Sequence, residues 1–319
     1  MKVSVVTPNY NGKHLLKTYF DSLITNKEAI GEVIIVDNGS DDGSIEFIHK
    51  YSEKLPFPVK VIENSENLGF AAAVNQGILE SGYDYIFSLN NDTELSRGAI
   101  APLTSLITED SKIFSVASKM LQYNNKDLID DAGDEYSLLA YTKKAGSGLS
   151  SERYSKKREI FSSCAGAALY RKDILNEIGL FDSEFFAYME DVDLSFRAQI
   201  YGYKNYYSPD SIVYHIGSAT SGSIYNEFKV RLAARNNVWT IYKNYSTCQK
   251  ITNFVFLFLG FLIKYLFFLK KGYGSVYLSG VREGLSTRSK LEKVPVSSVK
   301  NYFKIEWKMI KNTFGLIKK

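Results

Sequence analysis

A chain of 319 residues with 45% apolar content is long enough to form one large or two modest globular domains. Its two cysteines, Cys164 and Cys248, exclude a disulfide framework and favour a reducing, cytoplasmic setting. From Asn236 onward, 15 basic residues accompany three acidic ones, a net charge of +12, whereas the preceding 235 residues carry a net charge of −8. A basic tail on an acidic body predicts an anionic partner for the tail.

The N-terminal half of the chain alternates between strand and helix patterns. It begins directly with a strand pattern, without the basic head, apolar stretch and cleavage site of a signal peptide. The predicted strands cover 2–7, 32–37, 59–63 and 85–89, and the predicted helices cover 13–25, 69–82 and 96–108. This β-α repetition requires a mainly parallel sheet with right-handed crossovers.

The second half of the chain is less regular. Residues 119–158 are polar and rich in Gly, Asn, Asp and Ser, which indicates loops and a hairpin rather than another β-α unit. An apolar segment at 161–170 and a predicted helix at 172–178 follow. The acidic cluster at 190–193 begins a further helix, and a tyrosine-rich strand at 204–207 leads to His215.

Polar and acidic residues follow three of the predicted strands. Asn9, Asp37 and Asp92 come directly after β-branched runs, at the carboxyl ends where ligands bind in open α/β sheets. Three such ends would build one polar crevice. No G-x-G-x-x-G follows the first strand and no P-loop motif occurs, which argues against dinucleotide and P-loop nucleotide binding. If this crevice binds a diphosphate, no glycine-rich phosphate loop is present to hold it. We therefore expect a divalent cation, held by carboxylates, to neutralise the charge of the diphosphate.

Seven segments together resemble glycosyltransferase family 2, and its bacterial rhamnosyltransferase-like branch in particular. They run in order over roughly residues 3–240: VVTPNYNG, IIVDNGSDDGS, NLGFAAAVNQGI, LNNDTEL, GAALYRKD, GLFDSEFFAYMEDVDLSFRAQIYGY and VYHIGSAT. The resemblance implies an α/β fold of the GT-A type, which is a Rossmann-like, mainly parallel sheet with helices on both faces. It also implies a nucleotide-diphosphate sugar donor, a divalent metal and inversion at the anomeric carbon.

The resemblance also suggests a division of the chain. The GT-A catalytic domain would span residues 1–240, with a nucleotide-sugar half over about 1–118 and an acceptor half over about 119–240. Residues 241–319 would form a basic, aromatic-rich helical region at the C-terminal end.

On this resemblance, the donor nucleotide would contact residues after the first strands, namely Pro8, Tyr10, Asp37, Asn67 and Asn91. An aromatic ring offers a stacking face for the base, and a strand-end carboxylate can accept from a base N–H or a ribose hydroxyl. The residues alone leave alternatives, in which Tyr10 packs in the core and Asp37 caps a turn before Asn-Gly. Gly166 and Ala167 would lie beside the donor sugar, where small residues permit close approach.

The segment Asn90-Asn91-Asp92 occupies the D-x-D position of the family, and Asp92 matches its metal-binding carboxylate. Asn90 stands where an aspartate is common, and one fewer negative charge should weaken cation affinity. His215, the only one of the three histidines that ends a strand, would be the second ligand, and we expect Mn²⁺ or Mg²⁺. The alternatives are an Asn-rich turn and a buried histidine that hydrogen-bonds in the core.

The pair Glu190-Asp191 matches the E-D motif of the family, whose aspartate is the general base. Inverting transfer needs a carboxylate that takes the proton from the acceptor hydroxyl as the hydroxyl attacks the anomeric carbon. Asp191 would be this base, Glu190 would orient it or bind the acceptor, and Asp193 would support the helix start. Acids at a helix start are also ordinary capping residues, and this alternative stays open.

The C-terminal region contains an apolar run at 251–263, then Lys264, then a second run at 265–269. A spanning helix needs about 20 apolar residues, so an aromatic-rich helix lying in the membrane interface is the preferred interpretation. A tilted span and a buried protein interface are the alternatives. Abundant Phe, Leu, Ile and Tyr favour anionic lipid over nucleic acid as the partner of the basic tail.

The sequence therefore predicts an inverting, metal-dependent glycosyltransferase. The enzyme would be peripheral at the inner face of the cell membrane and would have no nucleic-acid partner. It would move a sugar, with rhamnose favoured, from a dTDP- or UDP-linked donor to a lipid-linked or growing cell-surface polysaccharide. Transfer from a UDP-hexose or UDP-N-acetylhexosamine is the first alternative. The second alternative is a homologue that binds a nucleotide sugar without turnover and acts in a polysaccharide assembly complex. Each of these functions is compatible with a homo-oligomer.

Overall fold

The alternating first half of the chain folds as predicted around parallel strands. The computed structural model describes residues 1–217, 225–295 and 298–317, so residues 218–220 of the last family motif lie outside the described residues. The elements of the first half are β1 (Val3–Asn9), α1 (Lys13–Ile24), β2 (Ile30–Asp37), α2 (Ser44–Ser52), β3 (Val59–Glu63), α3 (Phe70–Glu80), β4 (Tyr85–Leu89), β5 (Thr93–Leu95) and α4 (Ile100–Ile107).

The second half adds strands to the same sheet and ends in helices. Its elements are β6 (Ile113–Gln122), β7 (Asn125–Asp131), β8 (Asp134–Tyr136), β9 (Thr142–Lys144), β10 (Arg158–Ile160), β11 (Ala167–Arg171), α5 (Lys172–Ile178), α6 (Glu190–Ile200), β12 (Lys204–His215), α7 (Glu227–Asn244), α8 (Thr247–Thr252), α9 (Phe254–Lys270), α10 (Gly274–Thr287) and α11 (Val299–Ile317). Two short 3-10 helices cover Ser183–Phe185 and Arg288–Lys290.

The main sheet runs in the order β10-β12-β6-β11-β4-β1-β2-β3, with β5 beside β12 and β7 beside β6. The pairs β1/β2, β1/β4, β2/β3 and β6/β12 are parallel, whereas β11 runs antiparallel to both β4 and β6. Strand β6 was not predicted from the sequence, yet it lies between β11 and β12. Strand β11, which pairs with β4 on one side and β6 on the other, connects the two halves of the chain within one sheet.

Helices cover both faces of this sheet, as the fold class predicts. On one face, α1 and α4 bury apolar side chains such as Leu16 and Leu103 against the strands. On the other face, α3, α5 and α6 do the same with Val74, Ile174 and Leu194. The α/β class with a mainly parallel sheet is thus confirmed, and a C-terminal helical region follows it.

The C-terminal helices pack closely on the second half of the sheet domain. Tyr302, Ile305 and Met309 of α11 share a buried apolar cluster with Phe161 and Phe196. Helix α10 packs along α7. The predicted boundary near residue 240 stays a prediction, but the residues beyond it contribute to the core of the preceding half.

Helix α9 has one face against the protein and an opposite face that is exposed and apolar. Its inward positions include Gly260, whose carbonyl oxygen accepts from Tyr141 Oη at 2.8 Å. Lys264, the charge that interrupts the apolar run, also points inward, and its Nζ donates to the carbonyl oxygen of Ala140 at 3.4 Å. Among the described residues, no helix has both the length and the apolar character that crossing a membrane requires.

Candidate active site

Three strand ends meet through a chain of side-chain hydrogen bonds, as the sequence predicts. Asn91 Nδ2, after β4, donates to Asn9 Oδ1 at the end of β1 at 2.7 Å. Asn9 Nδ2 in turn donates to Asp37 Oδ2 at the end of β2 at 2.7 Å. All three side chains are buried, and they lie at the carboxyl ends of the strands, where open α/β sheets bind ligands.

The predicted nucleotide residues lie around these side chains. Tyr10 is 39% exposed, so its side chain does not pack in the core. Asp37 accepts from the backbone N–H of Ser40 at 2.8 Å, and it therefore does cap the turn that follows β2. Pro8 is half-buried, and Asn67 is exposed with its Oδ1 accepting from Gly69 N at 2.9 Å. Their contacts with a nucleotide stay predictions.

The two predicted metal ligands lie side by side. His215 Nε2 is 3.4 Å from Asp92 Oδ2, because the end of β12 pairs with β5 directly after the Asn90-Asn91-Asp92 turn. Asp92 is buried, yet its Oδ1 has no hydrogen-bond partner among the described residues, and neither has Asn90 Oδ1. Two buried oxygen atoms without partners beside an imidazole are a donor set suited to a cation.

A third side chain, Asp130 on β7, contacts His215 and was not predicted from the sequence. Its Oδ2 lies 2.9 Å from His215 Nδ1 and 2.9 Å from Lys144 Nζ. Burial lowers the pKa of His215, but hydrogen bonds to Asp130 and Asp92 outweigh burial and raise that pKa to about 9. A carboxylate on the second ring nitrogen is the usual partner of a metal-binding histidine, because it fixes the tautomer and the ring orientation.

The donor set fits a divalent cation that is shared with a substrate. Two ligand atoms at about 2.1 Å from an ion, at an angle of about 90–110°, lie about 3.0–3.4 Å apart. Asp92 Oδ2 and His215 Nε2, at 3.4 Å, match that separation. The described residues contain no group of three or more His, Cys, Asp or Glu that could hold a metal alone. Such an ion would need diphosphate oxygens or water as its remaining ligands, as Mg²⁺ commonly does.

The Glu190-Asp191 pair begins α6 and lies close to the same turn. Asp191 Oδ2 accepts from the backbone N–H of Ala165 at 3.3 Å. One residue further on, the carbonyl oxygen of Gly166 accepts from the backbone N–H of Asn90 at 2.9 Å. The acidic pair and the Asn90-Asn91-Asp92 turn are therefore joined by two adjacent residues of one segment.

Burial dominates the electrostatics of the acidic pair. Burial and the neighbouring Asp191 charge raise the pKa of Glu190 well above its usual value. Burial also raises the pKa of Asp191, although backbone N–H groups of Ala165 and Val192 act in the opposite direction. Glu190 Oε2 is buried without a hydrogen-bond partner among the described residues. Two adjacent buried carboxyl groups with raised pKa values are typical of a functional site.

Gly166 and Ala167 lie against the end of β4. A Cβ atom on Gly166 would lie 3.2 Å from Asn90 Nδ2, so a larger side chain would disturb the turn. Ala167 is buried and begins β11, where it pairs with Leu89 of β4. Their place beside a donor sugar stays a prediction.

Asp193 differs from its two acidic neighbours because it is paired. Its carboxylate accepts from Arg197 Nη2 at 2.7 Å, Lys243 Nζ at 3.1 Å and Asn244 Nδ2 at 2.7 Å. Burial raises the pKa of Asp193, but Lys243 and Arg197 outweigh burial and hold that pKa below its usual value. Asp193 thus anchors α6 on α7, which agrees with the supporting role predicted for it.

Two further acids on the acceptor side were not predicted. Asp131 ends β7 and Asp134 begins β8, and both side chains are buried. Burial raises the pKa of Asp131 to about 6, and burial together with the Asp131 charge raises the pKa of Asp134 well above its usual value. Both lie in the irregular region 119–158, where neither spacing nor motif distinguishes them from loop residues.

Comparison with known proteins agrees with this geometry. A sequence model of glycosyl transferase family 2 matches residues 4–179, more than half of the chain. The chain is similar to poly-beta-1,6-N-acetyl-D-glucosamine synthase of Staphylococcus aureus, with 24% identity over 224 residues. This match covers 70% of the chain and 52% of the synthase, so the chain spans about half the length of the curated relatives it matches.

Solved structures share the fold. GalNAc-T7, solved with UDP, GalNAc and Mn²⁺, has a TM-score of 0.63 and 19% identity over 76% of this chain and 47% of its own. Mannosyltransferase PcManGT from Pyrobaculum calidifontis, solved with GDP-Man and Mn²⁺, has a TM-score of 0.59 and 14% identity over 99% of this chain and 86% of its own. The family match establishes that the chain belongs to glycosyl transferase family 2.

Proposed function

We propose that the chain catalyses metal-dependent, inverting transfer from a UDP-linked N-acetylhexosamine to a growing or lipid-linked cell-surface polysaccharide. The observation that carries this proposal is the short path between Asp191 and Asn90. Asp191 is held by Ala165, and Asn90 is held by the adjacent Gly166. A base and a diphosphate site joined in this way can act on opposite sides of one anomeric carbon.

In the proposed reaction, Asp191 accepts the proton of an acceptor hydroxyl while the hydroxyl oxygen attacks the anomeric carbon. The bond from that carbon to the diphosphate breaks on the opposite face, so the configuration inverts. Burial and the neighbouring Asp191 charge raise the pKa of Glu190 and so favour its protonated form, which can donate a hydrogen bond to the acceptor. Asp92 and His215 would hold the cation, whose charge stabilises the departing diphosphate.

Two comparisons favour this donor class. The synthase of Staphylococcus aureus is named for a polymer of N-acetyl-D-glucosamine, and GalNAc-T7 was solved with UDP and GalNAc. A dTDP-rhamnose donor, which the motif resemblance favours, is the main competing donor. A screen of nucleotide sugars by thermal shift, with and without Mn²⁺, separates the two, because a bound donor raises Tm in proportion to its affinity and concentration.

The decisive test of turnover is release of the nucleoside diphosphate. We expect the preferred donor to be hydrolysed or transferred in Mn²⁺, and we expect EDTA and Asp92→Ala each to abolish turnover. Full activity in EDTA would contradict the role of a cation. Donor binding without any hydrolysis or transfer would instead support a non-catalytic nucleotide-sugar-binding homologue.

The exposed face of α9 supports a peripheral membrane location. Its outward side chains are apolar and between 39% and 67% exposed: Phe254, Val255, Phe256, Phe258, Leu259, Leu262, Ile263, Leu266, Phe267 and Leu269. An exposed apolar surface of this extent marks an interaction site. Because Lys264 points inward, the outward face is not interrupted by charge.

Helix α11 also carries exposed aromatic and basic side chains. Phe303 and Trp307 are 72% and 59% exposed, and Lys311 Nζ lies 5.4 Å from the centre of the Trp307 ring. Aromatic rings with adjacent lysines suit the boundary between acyl chains and anionic headgroups. We therefore propose that α9 and α11 hold the enzyme on the inner face of the cell membrane, where a lipid-linked acceptor presents its sugar.

Liposome co-sedimentation of the full chain tests this docking surface. Leu262→Glu on α9 should lower binding to vesicles containing anionic lipid, because it places a charge in the apolar face. Leu79→Glu on α3 is the matched control, since Leu79 is 68% exposed on the nucleotide half and should not affect vesicle binding. Equal binding by both variants and the wild type would exclude α9 as the docking helix.

A further inference from the structure

The Glu190-Asp191 pair is preceded by a turn of unusual backbone conformation. Phe186, Tyr188 and Met189 have φ values of 63°, 68° and 72°, in the left-handed region that residues other than glycine rarely adopt. Such conformations persist only where the surrounding structure holds them. Because Glu190 begins α6 directly after Met189, the conformation of this turn sets the direction of the acidic pair.

Asn236 of α7 holds this turn from one side. The side chain is fully buried, and Nδ2 donates to the carbonyl oxygens of Phe185, Ala187 and Tyr188 at 2.9, 2.9 and 2.7 Å. Arg235 Nε donates to Asn236 Oδ1 at 2.9 Å, which directs the amide nitrogen toward the turn. One side chain therefore contacts three of the four carbonyl oxygens between residues 185 and 188.

The start of α3 holds the turn from the other side. The backbone N–H of Ala71 donates to the carbonyl oxygen of Phe186 at 3.2 Å. Gly69 has a φ of 87°, and a Cβ atom on it would lie 2.6 Å from the Phe186 carbonyl oxygen. The turn is thus seated between the nucleotide half and α7. Arg235 Nη2 also donates to the carbonyl oxygen of Phe185 at 3.0 Å, but Asn236 is the fully buried side chain that contacts three of the carbonyl groups.

We propose that Asn236 is a positioning residue for the transfer reaction, which fixes the turn and thereby directs the Asp191 carboxylate toward the acceptor hydroxyl. This inference rests on the proposed function, in which Asp191 is the base. Asn236 lies beyond residue 179, where the family match ends, so its role follows from the hydrogen bonds alone. A misplacement of about 1 Å at a reacting group can lower a rate by about 100-fold.

The test compares two buried asparagines that are adjacent in α7. Asn236→Leu keeps the branched shape and the number of side-chain heavy atoms but removes the three hydrogen bonds, and Asn236→Ser gives a smaller side chain that also lacks the amide donors. Asn237→Leu is the matched control, because Asn237 is equally buried and its Oδ1 has no partner among the described residues. We expect both Asn236 variants to lower kcat by about 10–100-fold, whereas Asn237→Leu affects Tm more than kcat.

Two readouts separate positioning from a general loss of folding. Titration with UDP and Mn²⁺ gives the fraction of each variant that binds the nucleotide, and we expect the Asn236 variants to retain a wild-type UDP Kd. The pH profile of kcat, corrected for that fraction, should shift on its acid side in the Asn236 variants, because a displaced Asp191 has a different environment. Partial unfolding alone would lower the binding fraction and leave the profile unshifted.

Asp191→Asn, measured in parallel, distinguishes failure of this inference from failure of the proposed function. If Asp191→Asn is inactive while a folded Asn236→Leu or Asn236→Ser variant has wild-type kcat and an unshifted profile, the positioning role of Asn236 is wrong. If Asp191→Asn retains wild-type transfer, the base assignment itself is wrong and the inference falls with it.

Discussion

Two groups of buried polar side chains, on the proposed donor and acceptor sides of the site, differ in how far their hydrogen bonds are satisfied. On the donor side, Asn9, Asp37 and Asn91 are buried and hydrogen-bonded to one another. On the acceptor side, Asp131 and Glu190 are also buried, but each keeps one carboxyl oxygen without a partner among the described residues, and burial raises both pKa values. Side chains that are similarly buried therefore differ in whether all of their polar atoms have hydrogen-bond partners.

This difference suggests a division of labour between the two sides. A satisfied network fixes geometry at little cost, so it suits the recognition of a nucleotide. A buried carboxyl group without a partner is unfavourable for stability, and shifted acids of this kind concentrate at functional sites. We infer that the donor side is a preorganised binding surface and that the acceptor side carries the proton chemistry.

The largest expected effect follows from removing the base on the acceptor side. Asp191→Asn should preserve donor binding and lower transfer by about 10²–10⁴-fold, because the amide cannot accept the acceptor proton. The measurement is kcat for transfer together with the Kd for donor in Mn²⁺. Transfer within threefold of the wild type would contradict the role of Asp191, and loss of donor binding would mean that the two sides are not separable.

The second prediction concerns the carboxylate behind the predicted metal ligand. Asp130→Asn should weaken the binding of Mn²⁺ in the presence of UDP by about 10–100-fold, because the negative charge that orients His215 is lost. Electron paramagnetic resonance of free Mn²⁺ measures this directly, without a need for turnover. Asp127→Asn is the matched control, since Asp127 is an exposed aspartate on the same strand. Equal Mn²⁺ affinities in both variants would exclude Asp130 from the site.

The third prediction uses the raised pKa of Asp191. The base must be ionised to act, so kcat should fall as the pH decreases through the folded pKa of Asp191. Because burial raises that pKa, the loss should begin above about pH 4, the ordinary range of an aspartate, and should approach tenfold per pH unit below it. Mn²⁺ binding measured over the same pH range is the control. A kcat that stays constant down to pH 4 would contradict the assignment.

Much of the fold could be predicted from local pattern, because the first strands are short β-branched runs between helices of regular period. Strands β3 and β4 and helix α5 have the predicted bounds. Strand β6 was missed because it carries buried polar residues that break the alternation. Ser115 Oγ bonds to Asn205 Oδ1 at 2.8 Å, and Lys119 Nζ donates to the carbonyl oxygen of Arg153 at 3.1 Å. Only the folded chain supplies such partners.

The candidate site could be predicted as far as its residues lie in motifs. The structure places Asp92 beside His215. It also links Asp191 to Asn90, because Asp191 accepts from Ala165 and Asn90 donates to the adjacent Gly166. Asp130 was missed because its partner His215 is 85 residues away in a different strand. The support of the 185–188 turn was missed for a similar reason, since no local pattern predicts a left-handed Tyr188.

The smallest expected effect is a change in stability, and it tests whether paired and unpaired buried acids differ as described above. The folded pKa of Asp134 is raised by burial and by Asp131, so folding favours the protonated form. In the unfolded chain, the Asp134 carboxyl group ionises near pH 4. At neutral pH the ionised Asp134 therefore destabilises the folded state, and this destabilisation decreases as the pH falls. Asp134→Asn should raise Tm by about 2–4 °C at pH 7, and this gain should disappear below about pH 4.

Asp193→Asn is the matched control for that measurement, because Asp193 is equally buried but its charge is paired with Arg197 and Lys243. The folded pKa of Asp193 is lowered, so its ionised form stabilises the fold above the unfolded pKa and this contribution is lost as the pH falls. Asp193→Asn should therefore lower Tm at pH 7, since it removes the carboxylate that pairs with buried Arg197 and one of the two carboxylates that pair with buried Lys243. Changes of the same sign in both variants would contradict the view that pairing, rather than depth, separates structural acids from those of the acceptor side.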